Sequence, residues 1–230
     1  MLHSIIYAVI KSHPEIIPHL TGRARWVASA QKSEAYKSQD FFLTAIERMV
    51  RNVYYGFMGG DFIDVMANLI SGQIMDAYQQ AWLDDGGSLP IPEYLTSAAE
   101  ADILRQYDFV DQYYRDIVDA RVDKTAVEPL IARAQLWANQ WNNSYNNASL
   151  LIQKEEGGNL IWKLGATEKH CDTCSSLNGI VASAKEWEES GYKPQNPPNS
   201  YLTCGGWRCD CSLEPTEQRR SRNVRARLGL

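Results

Sequence analysis

From Lys169 to Gly179 the chain reads KHCDTCSSLNG, and from Tyr201 to Cys211 it reads YLTCGGWRCDC. These two stretches hold all five cysteines, Cys171, Cys174, Cys204, Cys209 and Cys211, and the 170 residues before them hold none. Thiols gathered at one end mark off a region with its own means of stabilisation. Cys171-x-x-Cys174 supplies a two-thiolate knuckle, and the other three cysteines supply a second group after a 29-residue interval. Zinc takes four soft ligands at tetrahedral corners, and short-spaced cysteines on two separate turns provide that geometry. A small β-containing module with few apolar residues also lacks stability without a staple. Four of the five thiols are expected to hold one structural zinc: Cys171, Cys174, Cys209 and either Cys204 or Cys211, with His170 a weaker spare. A site closed by four thiolates has no open position, so its expected role is to hold structure.

Two other readings of the thiols compete. Disulfides meet an odd number of cysteines. They also meet a compartment expected to be reducing. The apolar run Ile5 to Ile10 is too short to span a bilayer. Lys11, Glu15, Arg23 and Arg25 separate that run from the ASA at Ala28 to Ala30, so the sequence reads as carrying no signal peptide and no transmembrane helix. Redox chemistry needs a strand-to-helix setting and a lowered thiol pKa, and CDTCSSLNG offers neither clearly.

Outward from the cysteines the chain reads as helix. Hydrophobic residues make up 44% and charged residues 22% of 230, an ordinary globular composition. A net charge of −5 excludes a nucleic-acid binder working through overall basicity, though not a local basic patch. Phe42, Ile46, Met49, Val50 and Val53 recur at helical spacing between Gln39 and Tyr55. Asp61 is placed to cap a second helix with the stripe Val65, Leu69, Ile70 and Ile74, ending near Asp85. SAAE, Ser97 to Glu100, has the form of a capping box and predicts a third helix through Ile103, Tyr107, Val110, Tyr114, Ile117 and Val118. A fourth is predicted from about Thr125 to Ile152, with Leu130, Ala134, Trp137, Trp141, Tyr145 and Ala148 on one face. The pairs Gly59-Gly60, Gly86-Gly87 and Gly157-Gly158 sit where helices should stop. After Gly158, NLIWKLG reads as a short strand, NGIVAS as a turn into another, and KPQNPPNS as a proline-stiffened loop.

Other clusters read as scaffold. Asp108, Asp111, Asp116, Asp119 and Asp123 crowd one helix with Arg115 between them, the pattern of a solvated face. Asn139, Asn142, Asn143 and Asn146 form a carboxamide stripe opposite the tryptophans, suited to surface or to a protein contact. His3, His13 and His19 share an N-terminal segment broken by Pro14 and Pro18. The isoleucines of that segment call for docking on the body or on a partner. Arg219, Arg220, Arg222, Arg225 and Arg227 face one acid, Glu217, in a tail that suits either solubilisation or phosphate contact. No Ser-His-Asp order, HExxH or nucleotide fingerprint is present.

The order of pieces, more than any one of them, carries a resemblance. A helix IARAQLWANQWNNSYNNAS precedes a strand around Trp162, then HCDTCSSLNGIV, a proline-bearing loop and a closing CGGWRCDC. This resembles the phage head-morphogenesis proteins, the Mu F-like minor head family, over residues 125–215. The matching positions are Ala132, Arg133, Asn147, Trp162, Cys171, Cys174, Leu177, Gly179, Cys209 and Cys211. One departure is that TCGG stands where the family often has a histidine before its last cysteine pair. Cys204 would take that histidine's place as a ligand, which puts Cys211 in doubt.

The resemblance implies a non-enzymatic virion protein in the capsid interior or at the portal vertex, present in the host cytoplasm during assembly. Its implied partners are the portal and/or major capsid protein, with packaged DNA met through the tail; no membrane and no small-molecule substrate are expected. The expected architecture is mainly α: an N-terminal arm (1–37), a helical body (38–152), a zinc-stapled β-containing module (153–215) and a basic tail (216–230). The rival readings are a zinc-containing nucleic-acid-binding regulator, and a thiol oxidoreductase using Cys171 and Cys174.

Overall fold

A computed structural model describes residues 39–138, 140–166, 169–207 and 210–230. The N-terminal arm with its three histidines, Asn139 and Cys209 lie outside the described residues. The chain is mainly helical, with one small antiparallel sheet near its C-terminus.

Among the described residues five helices form the body: α1 Gln39–Tyr54, α2 Asp61–Asp84, α3 Glu93–Val122, α4 Glu128–Ala138 and α5 Gln140–Glu156. The apolar stripe read from α1 is the stripe it buries. Phe42, Ile46, Met49, Val50 and Val53 join Val65, Leu69, Ile70 and Ile74 of α2 in a single core. Aromatic rings complete that core from α3 and α4, where Tyr113 lies against Trp137 at 4.8 Å and against Phe62 at 5.9 Å.

Connectivity sets the direction of each helix. Phe62 meets Tyr113 while Tyr78 donates to Asp102, so α3 returns antiparallel to α2. Trp141 then donates to Asp76, Tyr145 to Asp84 and Gln153 to Asp85, positions rising together, so α2 and α5 run side by side in the same direction.

Several boundaries differ from the sequence reading. Gly60, not Asp61, is the N-cap of α2, and Asp61 places its carboxylate in the first turn, where the helix dipole favours it. The SAAE segment is not a cap, because α3 begins after Pro92 and passes straight through Ser97. Pro92 fixes the start, its ring holding φ at −59° while ψ stays extended at 154°. The single helix expected from Thr125 starts at Glu128 and is described as α4 and α5 on either side of residue 139.

The stripe at Asn142, Asn143 and Asn146 is not plain surface. Asn143 and Asn146 are buried, along with Ser144 and Ser149. The reason is that α5 is covered on two sides. Ala148 and Ile152 belong to the body core, whereas Leu150 belongs to a second core formed by the C-terminal module.

That module is built on β1 Asn159–Lys163, which pairs antiparallel with β2 Val181–Ser183 on one edge and β3 Ser212–Thr216 on the other. Between β1 and β2 lies the short helix α6 Asp172–Leu177, and after β2 comes α7 Ala184–Ser190. Ser183 opens α7 with a capping box, its hydroxyl accepting from the Glu186 N–H while Glu186 accepts from the Ser183 N–H.

The final residues are not a detached tail. Strand β3 runs through the expected 215/216 boundary, and a last turn, α8 Val224–Arg227, buries Val224 and Leu228 in the module core. The Ser221 N–H donates to the Val181 carbonyl, and its hydroxyl accepts from the Val181 N–H.

Candidate metal centre

The site is assembled from two segments thirty residues apart that the module folds against each other. The first leaves β1 and enters α6. Cys171 is the N-cap of α6 with extended backbone, φ −69° and ψ 157°, and its sulfur accepts the Cys174 N–H at 3.4 Å. Gly179 ends the segment at φ 75°, a conformation that a side chain would strain, and its N–H closes onto the Trp162 carbonyl at 2.9 Å. This turn delivers the chain into β2 and seats Leu177 and Cys174 beside Trp162 in the module core.

The second segment is the loop from Gly191 to Trp207. It contains no regular element, so its backbone polar groups need partners from side chains. Asn199 supplies most of them: its amide donates to the carbonyls of Gly191 at 3.2 Å and Lys193 at 3.1 Å, and its oxygen accepts from the Tyr201 N–H at 3.0 Å. The Asn199 N–H donates in turn to the Gly205 carbonyl at 3.0 Å. Gln195, held at φ 54°, donates to the Cys211 carbonyl at 2.9 Å and ties the loop to the start of β3. Gly206 allows the close fold, since a Cβ there would stand 3.1 Å from the backbone of Asn196 and Pro197.

The two segments also meet through side chains of their own. The hydroxyls of Thr173 and Thr203 are 2.6 Å apart, and the Thr203 N–H also reaches Thr173 Oγ1 at 3.3 Å. This contact brings Cys204 to the knuckle. The sulfur atoms of Cys171, Cys174 and Cys204 all lie within 4.8 Å of one another. With zinc–sulfur bonds of about 2.3 Å, tetrahedral thiolates stand about 3.8 Å apart, so the three donors fit a thiolate-binding metal with small adjustments. Cys174 is buried, and Cys171 and Cys204 are half-buried.

Local electrostatics favour ligand chemistry at Cys171. Burial pushes its thiol up, but hydrogen bonds from Cys174 and Cys204 outweigh that, and the net shift is downward. An easily formed thiolate is what a metal ligand requires. The CxxC does lie at the start of a helix, a setting that CDTCSSLNG did not reveal as sequence.

Of the five cysteines singled out by spacing, the structure thus brings together Cys171, Cys174 and Cys204. Cys211 is buried beside them, in the same apolar cluster as Cys174, Trp162 and Leu213, and Cys209 lies outside the described residues. The residues the sequence reading missed are Thr173, Thr203, Gln195 and Asn199. Nothing in a chain read alone pairs two threonines thirty positions apart. The two amides, by contrast, stand out as polar residues inside a proline-rich loop.

The other candidate residues scatter. Arg220 is paired with Glu186, and Arg225 reaches Glu189 at 3.3 Å. Arg219, Arg222 and Arg227 are exposed. On α3, Asp111 pairs with Arg115 as expected of a solvated face. Asp116 instead pairs with Arg133 of α4, whose guanidinium lies 5.0 Å from the centre of the Tyr113 ring, so this pair fastens α3 to α4. No helix among the described residues is long and apolar enough to cross a membrane.

No family model, no curated protein and no solved structure matches the chain.

Proposed function

We propose that this chain is a phage minor head protein of the head-morphogenesis type. In this reading it builds rather than reacts: the body contacts portal or capsid subunits, and a structural zinc holds the C-terminal module in shape. One observation carries the reading. The module positions that bear the resemblance and are described form one contiguous unit: Trp162, Cys174 and Leu177 share a core, Gly179 closes onto Trp162, and Cys171 stands at the knuckle. A motif set scattered by the fold would have given it no support.

Zinc is the metal proposed because thiolates are the donors in the described group and borderline-soft zinc suits sulfur; a fourth thiol, from Cys209 or Cys211, would close the site and make it structural. Cys204 is the ligand that the unusual TCGG segment contributes. Contact with packaged DNA through the tail has narrower support, since Arg220 and Arg225 already pair with Glu186 and Glu189. Arg219, Arg222 and Arg227 are left as the candidate phosphate contacts.

Co-expression with the portal protein of the same phage is the direct test, read by co-purification and by locating the chain in assembled heads. The proposal expects association during head assembly. A chain absent from heads and unable to bind portal or capsid protein would refute it. Elemental analysis of the purified chain tests the metal separately, with one zinc per chain expected.

A further inference from the structure

The staple of this module is built from sulfur atoms that can be joined in more than one way. Cys171 and Cys204 are the half-buried members of the three-thiol group, and Cys174 lies beneath them in the core. A dissolved oxidant therefore meets Cys171 and Cys204 before Cys174. Their sulfurs lie within 4.8 Å, and a disulfide needs about 2 Å. Cys204 stands on a turn whose next two residues are glycines with φ of 64° and 80°, and the Thr173–Thr203 contact already holds the two segments in register. A bond here would close the same gap that the metal closes.

Resting on the reading of a metal-stapled module, we propose that a Cys171–Cys204 disulfide replaces the metal as the staple when the chain leaves a reducing environment. The oxidant is a low-molecular-weight disulfide. The Cys171 thiolate attacks one of its sulfurs, forming a mixed disulfide and expelling one thiolate. The Cys204 thiolate then attacks the Cys171 sulfur, forming the Cys171–Cys204 bond and expelling the second thiolate. Two cysteine thiolates are oxidised, one external disulfide is reduced to two thiolates, and those two leaving thiolates take up two protons from solvent to become thiols. The metal, deprived of two thiolate ligands, dissociates. A particle component made in a cytosol and later exposed outside the cell would keep its module folded under both conditions.

The test uses the full chain loaded with zinc and treated with oxidised glutathione. Zinc release is followed with a chromogenic chelator, thiols are counted under denaturing conditions, and cross-linked peptides are mapped by mass spectrometry without reduction. The expected result is loss of the bound zinc, a fall from five thiols to three, and one peptide pair joining Cys171 to Cys204. The near-ultraviolet signal of the module tryptophans should be unchanged in the oxidised chain and lost in a reduced chain stripped with chelator. C211S, outside the three-sulfur group, should form the same cross-link. A Cys171–Cys174 link, intermolecular dimers, or loss of the tryptophan signal together with the zinc would overturn the proposal. If the chain as purified holds no zinc, the metal reading fails while the cross-link stays measurable. If zinc is present and the link does not form, this inference alone fails.

Discussion

Replacing Asn199 by alanine tests whether a loop without regular structure is what presents Cys204. The side chain makes three hydrogen bonds, to the Gly191 and Lys193 carbonyls and from the Tyr201 N–H, and the residue is 8% exposed. Each neutral bond contributes about 1 kcal/mol net, giving about 3 kcal/mol for the three. Gly191 and Lys193 are only half-buried, so water takes up part of the loss and about 2 kcal/mol is the expected cost. For a chain of this size that lowers Tm by about 4–8 °C. If the ordered loop is needed to offer Cys204, the same energy weakens zinc binding by about 30-fold, measured by competition with a chelator of known affinity. Asn199→Asp should be worse than alanine near neutrality, because it sets a carboxylate against two carbonyl oxygens. It should recover toward alanine once acid protonates it. Ser200→Ala, at an exposed neighbouring position, is the control. An Asn199→Ala chain with unchanged zinc affinity, or a control that loses as much, would refute the reasoning.

Three further outcomes are expected. Ile70→Ala removes a fully buried side chain from the body core and should cost about 2–5 kcal/mol in urea unfolding, with zinc content unchanged. Acid should destabilise the chain through Glu186 and Asp116. Burial would raise the carboxyl of Glu186, but bonds from Ser183 and the Arg220 guanidinium hold it low, and Gln112 and Arg133 do the same for Asp116. A depressed folded pKa means this stabilisation is complete above the unfolded value of about 4 and is lost as pH falls through the folded value. The urea midpoint should accordingly stay level from neutrality to about pH 5 and drop below it, and Glu186→Gln should flatten part of the drop. Changing Arg219, Arg222 and Arg227 together to glutamine should reduce the salt slope of DNA binding by about 2–3, and an unchanged slope would remove the tail from any role with DNA.

The body was legible because its helices obey one rule. Where a helix buries a single face, as α1 does, apolar spacing names the buried residues directly. The reading fails on α5, which packs on two cores and buries asparagines and serines by hydrogen-bonding them. A stripe of carboxamides looks like surface when only one neighbour is imagined. Capping patterns divide in the same way. Ser183 and Ser97 each stand three residues before a glutamate, yet only Ser183 caps a helix. It follows a strand whose extended backbone leaves an end to be capped, whereas Ser97 lies four residues inside a helix already opened by Pro92. The thiol site was half legible. Spacing marked the knuckle at Cys171 and Cys174, but the choice of Cys204 depends on Asn199 and the threonine contact. The order of the last residues was hard to read because it rests on two apolar residues among fifteen, Val224 and Leu228, and on Ser221 pairing with Val181.

The same helix that defeats the pattern reading explains how the two cores are joined. The Asn146 side chain accepts the N–H of Leu213 in β3, the strand that follows Cys211. Four residues on, Leu150 enters the module core, and Lys154 pairs with Glu188 of α7 at 2.8 Å. One face of α5 is therefore a seat for the sheet and for α7, while Ala148 and Ile152 fasten its other side to α2 and its neighbours. A polar contact at Asn146 sets register where an apolar one would let the strand slide, since a one-residue slip of β3 would turn Leu213 out of the core. A metal held by the three thiols would act on this joint from the far side. It would hold the loop that Gln195 ties to Cys211, and Cys211 leads directly into the strand that α5 supports. Order at the thiols and order at the seat are thus two ends of one short path through β3. Loosening the staple should be felt first at the Asn146–Leu213 contact, before any change in the body core.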